Sequence, residues 1–420
     1  MDPIKEYCKL DDLGRVSRGR SQHRPRNAPH LYGGEYPFIQ TAEITRSDLY
    51  INTYSQTYTQ AGLDQSNLWG AGTLCIANAG VNTADTAILG IDACFPDSVI
   101  GFTADTKKCN VLFVKYFLDS IKPQIKSITM GATQDNLSVS KLLTFPIPIL
   151  HIDIQNKIAA IISLYDDLIE NNNHCISLLE NMGKEIYHEW FVRFRFPDYQ
   201  NTKFEKGIPE DWKEKRIDSL GKIVTGKTPA TSNKKFYDGD ILFIKTPDMH
   251  GNMFINNTEE RLTEDGLNSQ PSQIIPENSI SVSCIGTAGV VSITTQKCST
   301  NQQINSVSLT KREDLEWAYF TFKALKQTIL AFGATGATMT NLSKGKFSGI
   351  KPIVPTDDLR LAFHEIVSPM FNEIKTLMRI NDNLAETKNS LIPRLISGKL
   401  SVEDLDIQYP PSMINNAEID

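Results

Sequence analysis

Gly131-Ala132-Thr133-Gln134-Asp135-Asn136-Leu137-Ser138 returns 205 positions later as Gly336-Ala337-Thr338-Met339-Thr340-Asn341-Leu342-Ser343, with six of the eight residues identical. Two further pairs keep nearly the same offset. Leu10-Asp11-Asp12-Leu13-Gly14-Arg15-Val16 answers Ile217-Asp218-Ser219-Leu220-Gly221-Lys222-Ile223, and Phe38-Ile39-Gln40-Thr41 answers Phe243-Ile244-Lys245-Thr246. A period this long is a duplicated domain with its tail, not a solenoid unit. Two copies predict an object with pseudo-two-fold symmetry, suited to a target that presents two nearby sites.

The 420 residues exceed what one core usually organises, which agrees with two modules. A net charge of −6 argues against a protein that coats nucleic acid and leaves room for local basic surfaces. The seven cysteines are odd in number and lack CxxC or zinc-ligand spacing, so reduced thiols in a cytoplasmic protein are expected, with no structural metal. No stretch approaches the ~18 apolar residues needed to span a bilayer, and Met1–Leu10 has no apolar signal core.

Within the first copy, short β-type runs at 36–40, 74–77 and 99–102 are punctuated by Gly, Asn and Pro, with a helical stretch near 111–121. Mixed α+β is the class this predicts. Proline-bearing segments at 144–148 and 350–355 close the two domains. Beyond each, apolar or neutral residues recur at alternating spacings of three and four. The first series is Ile158, Ile161, Tyr165, Leu168, Asn172, Cys175, Leu179, Met182 and Ile186. The second, 209 positions on, is Val367, Met370, Ile374, Leu377, Asn381, Leu384, Lys388, Leu391 and Leu395. These are heptad seams. The second is expected to be less regular: Pro369 should kink it or delay its straight part to about Phe371, Pro393 should disturb its last turn, and Lys388 interrupts the seam.

Asn172 and Asn381 stand at the midpoints of the two seams. An antiparallel pair would bring them together, where a buried Asn fixes register at some cost in stability; a solvent-facing Asn on an ordinary amphipathic helix is the plain alternative. A helix of about 32 residues is roughly 48 Å long. Along B-DNA that is about 14 base pairs.

This order of globular domain, long helix, globular domain, long helix resembles the specificity subunit of type I restriction-modification systems. The local sequence is similar too, at Trp190-Phe191-Val192-Arg193-Phe194-Arg195-Phe196-Pro197, Ile208-Pro209-Glu210-Asp211-Trp212, Asn301-Gln302-Gln303-Ile304-Asn305 and Leu391-Ile392-Pro393-Arg394-Leu395-Ile396-Ser397-Gly398-Lys399-Leu400. The resemblance implies an α+β chain of two mixed α/β target-recognition domains, separated by two long antiparallel coiled-coil helices. The expected division is 1–150 and 207–355 for recognition, 151–206 and 356–400 for the spacer helices, and 401–420 for a tail. It implies a non-catalytic reader of double-stranded DNA with an asymmetric bipartite site. The implied partners are two methyltransferase subunits using S-adenosylmethionine and two restriction subunits cutting with ATP and Mg. The chain itself would carry no cofactor. A duplicated scaffold protein that binds a non-DNA ligand is the alternative.

Base-reading residues vary too freely in such domains to carry over, so candidates rest on chemistry. Between Arg15 and His30 lie Arg15, Arg18, Arg20, Arg24 and Arg26, with two histidines and no acidic residue. Composition suggests a loop, and guanidinium groups suit phosphates and guanine edges, although a solvated surface loop has the same composition. The second copy offers Lys222, Lys227, Lys234 and Lys235. Gln40 and Thr41 against Lys245 and Thr246, and Gln134 against Met339, are places where the copies diverge at strand ends or turns. Gln suits adenine and Lys guanine, though such divergence also occurs on ordinary surface. The shared Gly-Ala-Thr and Asn-Leu-Ser segments suit a turn and a helix start, with a phosphate contact from Thr133 or Thr338 as the functional option.

Enzyme readings are disfavoured. Residues 221–228 match GxxxxGK(S/T), but Pro229 and the polar run after it oppose the helix that a phosphate-binding loop requires, and Arg20 replaces the lysine in the first copy. No FxGxG or (N/D)PP(Y/F) methyltransferase signature occurs. Glu185 and His188 form a lone ExxH on a predicted helix, which reads as a solvated face.

Overall fold

Both halves build the same sheet in the same order. In the computed structural model, which describes residues 6–129, 136–334, 340–410 and 413, the first sheet runs Gly14–Arg18, Val99–Ala104, Leu74–Ala77, Thr86–Leu89, Tyr50–Ile51. The second runs Gly221–Thr225, Ile304–Leu309, Ile280–Ser283, Val291–Thr294, Phe254–Ile255. In each, the first four strands pair antiparallel and the last joins parallel. Central strands such as Leu74–Ala77 and Ile280–Ser283 are buried throughout, so they read as unbroken runs rather than alternating ones. A smaller sheet accompanies each, centred on Tyr32–Phe38 and on Tyr237–Ile244. The proline-bearing closures form two-residue strands: Ile147–Pro148 pairs with Tyr7–Cys8, and Ile353–Val354 with Lys213–Glu214.

The repeated Asn-Leu-Ser segments do equivalent work. Leu137 and Leu342 are buried, their N–H groups donating to Asn78 O and Cys284 O, and Ser138 and Ser343 cap the short helices Val139–Leu142 and Lys344–Ser348. The Gly-Ala-Thr halves, with Thr133, Gln134, Thr338 and Met339, lie outside the described residues.

Contacts divide the chain into two compact units, residues 1–172 with 381–420 and residues 173–380, so each unit holds part of both long helices. The helices span Ile152–Tyr187 and Asp357–Ile396. Within the first unit Asn172 meets Asn381 and Asp166 meets Lys388, an antiparallel order; within the second, Gly183 lies against Val367 and Tyr187 against Phe363, again antiparallel. Ile158, Ala159 and Ile162 pack with Ile392, Leu395 and Ile396 in the first unit's core. In the second, Phe363, Val367, Phe371 and Ile374 join Trp317, Phe320 and Phe322.

Three expectations about the helices are corrected. The second helix is assigned continuously from Asp357 to Ile396, so Pro369 does not delay its start, which comes 14 residues before Phe371, and Pro393 does not end it. An interior proline costs about 3 kcal/mol, and burying Phe363 and Val367 recovers about 1.5–3 kcal/mol each. Second, Leu168 and Met182 are half exposed, while Ile162, Asp166, Gly183 and Tyr187 face inward. At these four positions the inward face lies one residue past the hydropathy pattern, while Ile158 and Asn172 keep to it; two of the four, Asp166 and Gly183, are types that apolar counting passes over. Third, Lys388 is no irregularity: its ammonium pairs with buried Asp166, which also accepts the Tyr116 hydroxyl at 2.7 Å.

The first helix ends in a π turn, His188–Val192, closed by Arg193 N–H donating to His188 O at 2.8 Å. The wider turn lets the neighbours Trp190 and Phe191 both reach the core. Among the described residues no helix is long and apolar enough to cross a membrane.

Candidate nucleic-acid interface

In each unit, several of the candidate residues lie around the connection that joins the two sheets. In the first unit this is Phe95-Pro96-Asp97-Ser98. Gly19 N–H donates to Val99 O and Arg20 N–H to Phe95 O, which turns the chain at the end of the first strand. Only glycine fits there: a Cβ on Gly19 would lie 2.3 Å from Pro96 O, and one on the equivalent Gly226 would lie 2.2 Å from Asn301 O. The duplicated Gly-Arg and Gly-Lys steps therefore place Arg20 and Lys227, both exposed, at the same point of the fold.

The arginines are partly organised by this loop. Arg26 pairs with Asp97 at 2.8 Å, Arg15 stands over the Trp69 ring at 5.9 Å, and Trp69 stacks on Phe95. Arg20 donates to Gln22, and Arg24 to the carbonyls of Ser21 and His23. Arg18 is exposed at the strand end. The expectation of one continuous loop from Arg15 to His30 is corrected, since residues 14–18 form an edge strand and the loop begins only at Gly19. Gln65, accepting from the Gln22 and His23 N–H groups, pins that loop.

In the second unit the corresponding connection is Asn301-Gln302-Gln303. Gln302 accepts from Thr228 beside Lys227, and Gln303 accepts from Thr246 beside Lys245, so this connection ties the two candidate positions together. Thr246 is buried and serves as a brace. Lys222 is exposed on its strand, at the position of Arg15. Lys234 and Lys235 lie elsewhere: the Thr263 hydroxyl donates to Lys235 O as the Thr59 hydroxyl donates to His30 O, so this pair of lysines matches Pro29 and His30, not the arginine cluster. Residues 226–233 form no helix, so the Gly221–Thr228 stretch lacks the helix N-terminus of a phosphate-binding loop.

Gln40 and Lys245 each follow a strand end, at Phe38 and Ile244, and stand immediately before a short helix, Thr41–Arg46 or Thr246–Met249. The Gln40 N–H donates to Glu43 at 3.0 Å and the Lys245 N–H to Asp248 at 2.7 Å. The same carboxylates hold the neighbouring strand. Glu43 accepts the Ser55 hydroxyl, and Asp248 accepts the Glu259 N–H at 3.1 Å. The next residues, Gln56 and Glu260, then meet Gln40 and Lys245 side chain to side chain. Thr41 begins its helix half-buried. Sequence reasoning missed Gln56, Glu260 and Asp97. The signal for the first two was present: Thr59-x-x-Gly62-Leu63 and Thr263-x-x-Gly266-Leu267 repeat at an offset of 204 and align the residues just before them.

Comparison with known proteins gives one consistent result. The family described as "Type I restriction modification DNA specificity domain" matches residues 5–181 and again 209–385. The type I restriction enzyme HindI specificity subunit of Haemophilus influenzae is 40% identical over 195 residues, which is 46% of this chain and 42% of that protein. The chain thus spans about two fifths of that relative. The MjaIX specificity subunit of Methanocaldococcus jannaschii is 24% identical over 94% of both chains. Among solved structures, the type I restriction-modification S subunit of M. genitalium shares the fold, with a TM-score of 0.54 at 15% identity over 93% of this chain and 95% of that one.

Proposed function

This chain belongs to the family of type I restriction-modification DNA specificity proteins, and we propose that it is the sequence-reading subunit of such a complex. Each of its two domains reads one half of an asymmetric bipartite site, and the paired helices set the unread spacer between the halves. One observation carries this reading: a single scaffold occurs twice, and the side chains on its edge strand and around its sheet-to-sheet connection differ between the copies. Arg15, Arg20 and Gln40 in the first stand where Lys222, Lys227 and Lys245 stand in the second. Like scaffolds with unlike linings suit two different half-sites. Basic residues at both fit the phosphate backbone.

The chemistry belongs to partners. Two methyltransferase subunits using S-adenosylmethionine and two restriction subunits using ATP and Mg are proposed, this chain being non-catalytic and acting in the cytoplasm. Exposed apolar side chains on the first long helix suit packing against partner helices: Leu164 and Leu168 in the first unit, Leu178 and Met182 in the second. The test is the salt dependence of binding by the complex with its methyltransferase to mixed-sequence duplex DNA. A reader that neutralises about six phosphates should lose roughly 10³-fold in affinity between 50 and 200 mM salt. Binding that ignores salt would favour the scaffold alternative.

A further inference from the structure

We infer that the linked side-chain pairs Gln40–Gln56 and Lys245–Glu260 are equivalent specificity elements, each reading one base pair of its half-site. The inference rests on the DNA-reading function proposed above and names the residues that execute it. Both pairs occupy the same place in the duplicated fold. The first member lies just past the end of the strand on which the small sheet is centred, and the second lies at the start of, or just before, the strand paired with it.

Both pairs are fixed from beneath by one acid. Glu43, buried, binds the Gln40 backbone with one oxygen and Ser55, the neighbour of Gln56, with the other. Asp248 does the same for Lys245 and for Glu259, the neighbour of Glu260. Backbones held this way present their side chains in a set geometry, which direct reading of a base edge requires.

The chemistry of the two pairs has changed in concert. Gln40 Nε2 donates to Gln56 Oε1 at 3.0 Å, an all-amide pair, whereas Lys245 meets Glu260 as an ion pair at the same position. A Gln–Glu or Lys–Gln mixture occurs in neither. After their mutual contact, the two glutamines retain N–H donors and carbonyl lone pairs, the set that matches adenine N6 and N7 with thymine O4. Lys245 retains two donors and Glu260 further lone pairs, the set that matches guanine O6 and N7 with the N4 amine of cytosine. The first pair therefore reads A·T and the second G·C. The ion pair, with Lys245 half-buried and Glu260 exposed, adds little to folding, so its retention as a matched set is better explained by what it presents outward.

The test exchanges the pairs in the complete complex. A methylation-free host expresses the partner methyltransferase with the wild-type chain, with Q40K/Q56E, or with K245Q/E260Q, and adenine methylation is mapped across its genome. Each variant should alter one base position in one half-site, A·T to G·C in the first and G·C to A·T in the second, with preferences shifted roughly 5- to 150-fold. The other half-site and the spacer stay unchanged, which shows within each experiment that the variant is folded and assembled. An unchanged motif in both variants overturns the inference while leaving the DNA-reading function intact. So does methylation lost without a new motif in variants that co-purify with the methyltransferase and melt with wild type, the behaviour of pairs that only brace a loop. A wild-type chain that directs no motif overturns the function and this inference together.

Discussion

Asn172 and Asn381 show how much one residue can reveal and how much it conceals. Their amides meet at 2.8 Å, half-buried, as the equal offset of the two seams predicts. Replacing both with Leu should raise the melting temperature while loosening register, because a polar pair at a seam costs stability for specificity. Replacing Asn172 alone should not stabilise, since one amide is then left against an apolar side chain; a melting temperature for Asn172→Leu above that of wild type would contradict this. Glu316 was not legible at all. It is a buried acid whose Oε2 lies 2.7 Å from His364 Nδ1, and burial pushes its carboxyl above the ordinary 4.5 despite that contact. Because the folded value is raised, its contribution to stability is complete below about pH 4.5 and lost as pH rises through the folded value. Glu316→Gln should remove that loss, so the stability of wild type relative to the variant should fall as pH increases from 4.5; a constant difference from pH 4 to 7 would rule it out. A local hydropathy pattern cannot expose such a residue, since its environment is assembled by the second long helix, 48 positions away.

At the scale of elements, periodicity gave the helices and their pairing but misjudged their details for a common reason. Prolines, Lys388 and the acid Asp166 were weighed by type, while the fold weighs them by partner. Lys388→Leu would complete the heptad pattern, and by pattern alone should stabilise. The structure gives the opposite sign. Asp166 would be left buried with only the Tyr116 hydroxyl, so the variant should lose about 3 kcal/mol, read by denaturant melts; a gain in stability would refute the pairing. The strand elements were legible where they were short and bounded by turn residues, as at Leu74–Ala77. The first strand, Gly14–Arg18, was hidden because an edge strand rich in arginine looks like a loop by composition.

At the scale of the whole molecule, the duplication was the most legible feature and the recognition surface the least. Repeats survive in the scaffold: the Gly-Arg and Gly-Lys turns, the Asn-Leu-Ser caps and the Thr-x-x-Gly-Leu helix starts. The residues proposed to read bases are ones that differ between the copies, so identity does not mark them: Gln40 and Lys245 stood out as differences inside a repeat, whereas Gln56 and Glu260 are aligned only through the Thr-x-x-Gly-Leu repeat that follows them, and their contact with Gln40 and Lys245 came from the fold. Inserting one heptad into both helices should keep the seam and lengthen the unread spacer by roughly 10 Å, about three base pairs. An unchanged spacer in the methylated motif would separate the helices from any measuring role.

The central claim is that one chain reads two half-sites. Its most direct test is adenine-methylation mapping in a methylation-free host expressing the active partner methyltransferase with and without the chain. The account predicts a bipartite motif with a fixed spacer, present only when the chain is present. A methyltransferase that is active and bound to the chain, yet leaves no such motif, would contradict it.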